Sequence, residues 1–409
     1  MFDNKTREQL SVIIPELPPI IGENSLRHDI DELAAMFLPV QSLAIVSDVN
    51  TNFAFGKQIY EALKGRFNCK NLILANGVEA DENTINYIKG EILSCDALIA
   101  VGSGTINDLC KYTAYLTGKP YIVFPTAASM NGYLSVNASI TIHGHKTTKK
   151  GKLPEAVLCD FSVISSAPLL LAKSGLGDSL ARPTAQADWL LSHLLLGSSY
   201  DETPFKLLTD TEAELFDSAA GIAKNDPHMV RKLVELLLLS GIGMTISGGS
   251  YPASQGEHMI AHTYNMLGKA NNKMKPLHGE EIAVTSLFMA KRQENLLNSL
   301  PKLCSGIFDK NYLAEFFADE LITEFETEFG KKQKSILSLQ IESINKTKWE
   351  EISDKIQEII LPAGKIENII KKAELLAIPE QLGWYDKDYQ VACDTARFTR
   401  DRFTFLDVE

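Results

Sequence analysis

Three histidines and one aspartate pose the first chemical question. His258 and His262 stand four apart in Gly256-Glu257-His258-Met259-Ile260-Ala261-His262, and His278 follows in Pro276-Leu277-His278-Gly279-Glu280-Glu281. Asp178 lies upstream, in Gly175-Leu176-Gly177-Asp178-Ser179-Leu180. A carboxylate and two imidazoles hold a divalent cation and leave a coordination position open for a substrate. On a helix, residues four apart share a face, so either both His258 and His262 ligate or one ligates while the other relays protons. Taken singly, each histidine reads equally well as a surface or hydrogen-bonded core residue.

A second constellation suits a phosphate. The apolar run Leu98-Ile99-Ala100-Val101 leads into Gly102-Ser103-Gly104-Thr105, after which Ile106 to Leu116 carries helical spacing. Glycines let a backbone approach a pyrophosphate, and the free amides of a helix start favour its charge. A short GxG turn is also the ordinary strand-to-helix connection. Asp108 and Lys111, one turn apart on that helix, read locally as a surface ion pair. Asp48, closing Leu43-Ala44-Ile45-Val46-Ser47, suits either the hydroxyls of an adenosine ribose or a helix N-cap.

These residues need a scaffold to bring them together. Over the first 165 residues, apolar runs (Ser42 to Ser47, Asn71 to Ala75, Ala97 to Val101, Tyr121 to Phe124) alternate with helical patterns. That alternation predicts an α/β, doubly wound parallel sheet covered on both faces. Near Pro168 the texture becomes helical, with Leu169 to Leu196, Glu212 to Ala223, His228 to Ile246, Glu280 to Leu297 and Lys310 to Phe329 all at helix length. The expected division is residues 1–166 as a dinucleotide-binding α/β domain and 167–409 as an all-α domain for metal and substrate.

Composition narrows the function. At 409 residues the chain is long enough for two cores. A formal net charge of −12 opposes a nucleic-acid partner, which Lys and Arg would have to neutralise. No stretch reaches the roughly 20 apolar residues of a membrane span, and Leu233 to Ile246 reads as a buried helix interrupted by Glu235. The first residues, Met1 to Lys5, carry no apolar signal core, so a cytoplasmic protein is expected. The 6 cysteines form no CxxC pair and read as reduced packing thiols.

From about residue 20 to the C-terminus, these segments taken in order resemble the glycerol-1-phosphate dehydrogenase family of the iron-containing alcohol dehydrogenase superfamily, whose architecture is dehydroquinate synthase-like. Gly102 to Lys111 resembles its pyrophosphate loop, and Pro125-Thr126-Ala127-Ala128-Ser129 the segment bordering nicotinamide. Gly177-Asp178 with Ala187-Asp188-Trp189, Ser254 to His262, and Leu277-His278-Gly279-Glu280 resemble the stretches carrying its metal ligands. Ala396 to Thr404 resembles its arginine-rich close.

The resemblance implies Asp178, His258 and His278 as ligands of one divalent metal, zinc first, with nickel or iron as alternatives. His262 is implied as a polar residue of the active cleft. NAD or NADP is the implied cofactor, held by Asp48, Gly102, Ser103, Gly104, Thr105, Asp108, Thr126, Ser129 and Ser135. One departure stands out: the family's Ser-x-Asp-Gly is Ser129-Met130-Asn131-Gly132 here. Asn131 can hydrogen-bond a substrate hydroxyl but cannot act as a carboxylate base. With Asn131 and His262 as the candidate catalytic residues, the implied reaction interconverts dihydroxyacetone phosphate and sn-glycerol 1-phosphate. Lys146, Lys149 and Lys150 are candidates for the phosphate, or simply a solvated face. A small phosphorylated triose or polyol is the expected partner and a homo-oligomer the expected assembly. The rival readings are a sugar-phosphate cyclase of the 3-dehydroquinate synthase type, a dehydrogenase for another small polyol, and a catalytically idle dinucleotide-binding protein.

Overall fold

In a computed structural model, the described residues are 1–142, 145–268, 276–304, 307–338 and 345–409. Eight strands run β1 (Ile20–Glu23), β2 (Ser42–Asp48), β3 (Asn68–Leu74), β4 (Ala97–Gly102), β5 (Tyr121–Pro125), β6 (Asn137–Ile142), β7 (His145–Lys150) and β8 (Ala156–Asp160). Six of them form a sheet in the order β1-β8-β5-β4-β2-β3, with every pair parallel. In β4, β5 and β8 every residue is buried, so consecutive side chains, which point to opposite faces, are covered on both. One face packs Ile30, Leu43, Ile45, Ile59, Val101 and Phe124 into a common core.

The strand order fixes where a ligand crevice opens. From β2 the chain runs out to β3 and then returns to β2's other flank as β4. Such a reversal leaves a crevice at the carboxyl ends of the two strands between which it occurs. Asp48 ends β2 and Gly102 ends β4, while Pro125, ending β5, lies in register with Gly102. The three segments that a dinucleotide would use therefore follow the C-terminal edges of three adjacent strands.

The chain divides into two compact units, Met1–Gly175 with Lys206–Gly249, and Leu176–Phe205 with Ser250–Glu409. The change of texture near Pro168 is a different partition: the residues between Lys206 and Gly249 are helical yet belong to the sheet-bearing unit. Their main helix, Pro227–Ile246, starts on the Asp226 cap with Pro at its first position and packs Gly241 onto the backbone of Asn131 and Leu134. The second unit is helical around a core that includes Leu191, Ile260, Tyr264, Ile282, Met289 and Phe325. Three helical expectations break: Glu212 to Ala223 divides between the end of Thr203–Asp217 and the separate Ala220–Ala223. Leu169 to Leu196 divides at Leu180 into Leu169–Ser179 and Ala181–Leu196, and Lys310 to Phe329 divides into Lys310–Ala314 and Asp319–Ser338.

Lys111 departs from its local reading as half of a surface pair. It lies in the helix Gly104–Thr117 and is fully buried, with Gly151 packed closely over its stem. Its amine donates to the carbonyls of Gly132 and Asn137, tying the loop after β5 and the start of the β6–β7 hairpin to the helix. Burial, against the opposing charge of Asp108, holds its pKa down to about 8. A neutral amine still has the two N–H groups that those carbonyls need.

Lys111→Met is expected to lower stability by about 1–3 kcal/mol, the usual consequence of leaving hydrogen-bond partners unmet. The folded pKa lies below the roughly 10.4 of an unfolded lysine, so between the two the unfolded chain binds the extra proton. Wild type should therefore gain stability over the variant as pH rises from about 8 toward 10. Urea denaturation of both proteins across that window tests this, and a difference independent of pH would refute it.

Candidate metal centre

The three metal-binding candidates are residues of the second unit, each near one end of a helix. Asp178 is next to last in Leu169–Ser179, His258 lies in the first turn of Gly256–Met266, and His278 opens His278–Leu297. Asp178 Oδ1 lies 3.5 Å from His258 Nε2 and 3.7 Å from His278 Nε2. One ligand atom from each residue falls within 4.8 Å of the others. Tetrahedral zinc with bonds of about 2.0 Å spaces its donors about 3.3 Å apart, so the set closes on a cation with small shifts. The Asp178 and His258 side chains are 3% and 7% exposed, whereas that of His278 is 34% exposed, which gives the cluster one open side.

Missing side chains make this convergence possible. A Cβ on Gly177 would lie 2.1 Å from the carbonyl oxygen of Gly279, a separation no packed structure tolerates. Gly177 precedes Asp178 and Gly279 follows His278, so the two backbones meet beside their ligands. The start of the His258 helix is equally tight: a Cβ on Gly256 would lie 2.5 Å from Met289 Cε and 2.9 Å from Asp188 Oδ2. Glu280 fixes the third helix start by accepting from the Leu277 amide at 2.8 Å.

Glu257, fully buried, lies against the His258 ring. Its Oε1 accepts from His258 Nδ1 at 2.9 Å and from the Gln255 amide at 2.7 Å, while Oε2 accepts from Thr184 Oγ1 at 3.0 Å. Burial penalises the charge of both partners. Even so, their mutual hydrogen bond, with Asp178 on the other side of the ring, raises the His258 pKa and lowers that of Glu257. Asp188 accepts from the amides of Gly256 and Phe405 and from Gln293; burial first, then the charge of Glu257, pushes it up to about 7. His262 stands beside the cluster and outside it, its ring 6.0 Å from that of His258 and 5.7 Å from that of His278.

The cofactor candidates lie in the first unit. The helix Gly104–Thr117 begins without a side-chain cap from Ser103, which leaves its first amides aimed past the end of β4. Gly102 is required by its own fold, since a Cβ there would lie 2.6 Å from Ile106 Cβ. Gly104 has room, with Met130 Cγ nearest at 3.5 Å. Thr126 is buried and its amide donates to the carbonyl of Gly102. Asp48 is an N-cap, accepting from the Thr51 amide at 2.8 Å.

Several candidates hold the surrounding loops in place. Asp108 accepts from the Ser139 amide and lies 3.9 Å from Lys111 Nζ. Ser135 is buried and accepts from the Asn137 amide, and Ser129 is half-buried in the loop after β5. Asn131 Nδ2 donates to Ser240 Oγ at 3.3 Å. Lys149 and Lys150 lie on β7; the side chain of Lys146 lies outside the described residues.

Residues 20–168 match the iron-containing alcohol dehydrogenase family. Similarity to curated proteins covers a larger share of the chain. The glycerol-1-phosphate dehydrogenase [NAD(P)+] of Thermococcus kodakarensis is 34% identical over 274 residues, which cover 66% of this chain and 76% of that protein. The protein of the same name from Bacillus licheniformis is 31% identical over 284 residues, 68% of this chain and 71% of that one. The chain belongs to the glycerol-1-phosphate dehydrogenase family. The crystal structure of glycerol dehydrogenase from Schizosaccharomyces pombe superimposes with a TM-score of 0.56 at 18% identity, covering 90% of this chain and 92% of that one. That likeness concerns fold, and the fold is the iron-containing alcohol dehydrogenase and dehydroquinate synthase-like one that the sequence led us to expect.

For a member of the glycerol-1-phosphate dehydrogenase family, Glu257 is the residue sequence reasoning passed over. It sits inside the quoted Glu-His-x-x-x-His run without a role of its own, and its signal was adjacency: a carboxylate next to a candidate ligand can reach that imidazole's second nitrogen.

Gly177→Ala should force the Asp178 and His278 helices apart and weaken zinc binding by about 10- to 100-fold, the usual scale for disturbing the supports of a metal ligand. NAD(P)H affinity, read by fluorescence titration, should stay near wild type. Zinc affinity unchanged in competition with a chromogenic chelator would show that the helix approach is not what aligns the ligands.

Proposed function

We propose that this protein is a metal-dependent, NAD(P)-linked dehydrogenase that interconverts dihydroxyacetone phosphate and sn-glycerol 1-phosphate. The observation that carries the reading is the convergence of Asp178, His258 and His278 within 4.8 Å in a chain of this family. Zinc is the proposed cation, because two imidazoles, one carboxylate and an open side match the catalytic zinc pattern. A cation held there supplies Lewis acidity toward a carbonyl oxygen, and the nicotinamide carries the hydride.

The remaining tasks fall to side chains. With Glu257 accepting a hydrogen bond from His258 Nδ1–H, the Nε2 lone pair stays available as a ligand. His262, one turn along the same helix, is the proposed group that delivers a proton to the ketone oxygen during reduction. The uncapped amides after Gly102 are the proposed pyrophosphate cradle, with Asp48, Thr126, Ser129 and Ser135 bordering the cofactor. Asn131, steadied by Ser240, is proposed to orient a substrate hydroxyl.

Metal analysis of the purified protein and oxidation of NADH or NADPH on addition of dihydroxyacetone phosphate test this together. Turnover should be lost on chelation, restored by zinc, and abolished in His278→Ala with cofactor affinity retained. Full activity of His278→Ala after chelation would overturn the metal assignment. Product formed with no net change in NAD(P)H would identify a cyclase that recycles its cofactor.

Asn131→Asp separates substrate orientation from substrate choice. The hydroxyl of Ser240 can turn to donate to a carboxylate, so the loop should keep its shape. Turnover is expected to hold or rise, and the pH profile should gain an acidic limb because only the ionised carboxylate accepts the substrate's hydrogen bond. Activity at background with zinc and cofactor still bound would point to a different polyol.

A further inference from the structure

The first turn of the His258 helix contains more carboxylate than a metal ligand set requires. Glu257 and Asp188 are both fully buried, and both accept backbone amides at this turn: Gln255 N to Glu257, and Gly256 N to Asp188. Free amides and the helix dipole make that position favourable for negative charge, so capping explains one carboxylate there. It does not explain why Glu257 also turns Oε1 toward His258 Nδ1 at 2.9 Å, with Oε2 pinned by Thr184 Oγ1 at 3.0 Å. Among the described residues Asp188 has no such contact with an imidazole; its oxygens go to Gly256, Phe405 and Gln293.

A neutral imidazole carries one N–H, and the nitrogen bearing it cannot ligate. An acceptor fixed at Nδ1 therefore commits the proton to that side and leaves the lone pair on Nε2, the atom 3.5 Å from Asp178 Oδ1. An acceptor that is also anionic makes the imidazole a stronger donor to a cation. The turn before the helix is in turn held by the arginine-rich C-terminal segment. Arg400 Nη1 donates to Ser254 Oγ at 3.0 Å, Arg402 donates to the Ser254 carbonyl and to Ser250 Oγ, and its guanidinium lies 4.4 Å from the Tyr251 ring centroid. Two cations at this turn offset the buried anions beside it.

We propose that Glu257 is the positioning residue of the metal centre, fixing the tautomer and raising the donor strength of His258, a role separate from the capping that it shares with Asp188. The inference rests on the reading of Asp178, His258 and His278 as metal ligands.

The test measures zinc affinity by chelator competition and the visible absorption of the cobalt(II)-substituted protein, in wild type, Glu257→Gln, Glu257→Ala and Asp188→Asn. Glu257→Ala should lose about 10- to 100-fold in zinc affinity. Glu257→Gln keeps an acceptor at Nδ1 without the charge and should fall between it and wild type, with the cobalt bands shifted. Asp188→Asn should lower thermal stability while leaving zinc affinity and the cobalt spectrum as they were. Equal loss in Asp188→Asn and Glu257→Gln would reduce Glu257 to a helix cap and overturn the proposal, as would wild-type affinity and spectrum in Glu257→Gln. If Glu257→Ala does not fold, Glu257→Gln alone decides. A wild-type protein that binds neither zinc nor cobalt would instead defeat the underlying ligand assignment.

Discussion

The contact between Gly177 and Gly279 is the constraint on which the second unit's chemistry depends. The helices that carry Asp178 and His278 approach more closely than side chains at the contact would permit, bringing a would-be Cβ to 2.1 Å from a carbonyl oxygen. Each glycine is one residue from a candidate ligand, so the approach is used where its geometric effect is largest. The electrostatics follow. A carboxylate as buried as Asp178 is costly unless it is compensated, and the two imidazoles facing it compensate it most when one is protonated or a cation sits among them.

Glycines in the first unit divide by what demands them. Gly102 is forced by the protein itself, because Ile106 occupies the space a side chain would take. Among the described residues no atom forces Gly104, so a requirement for glycine there would have to come from a bound group passing close to the backbone. The sheet order gives that group its place: β2 and β4 are the strands at which the chain reverses direction across the sheet, and Asp48 and Gly102 are their last residues.

Much of this was legible in sequence, and the failures have local causes. Strands buried on both faces announced themselves as unbroken apolar runs, which is how β2, β4 and β5 were found. β1 has four residues and no alternation to read, and β8, with its five buried residues, was passed over within the α/β half. Helix breaks at Leu180 and after Ala314 were invisible because apolar spacing continues across them. The i, i+4 pair His258 and His262 left two ligand sets open. What distinguishes them is Asp178, 80 positions upstream of His258, whose proximity is a tertiary fact. Asp108 and Lys111 have the spacing of a surface pair, and nothing local says that Gly151 will close over the lysine stem and bury it.

The arginine-rich segment shows how a motif can be recognisable without its function being readable. Its residues are spread over several tasks in the second unit. Arg400 and Arg402 hold the turn before the His258 helix; just beyond the segment, the Phe405 amide donates to Asp188 and Asp407 forms a fully buried pair with Lys332 at 2.8 Å. Breaking such a pair by removing one partner typically costs about 3–5 kcal/mol, because the other charge is left uncompensated. Neighbouring residues near the C-terminus thus contact both the buried Lys332 and the start of the His258 helix, the latter through Asp188 and the Ser254 turn. The three candidate ligands come from three helices, and the turn that carries His258 is held by charged side chains outside that set.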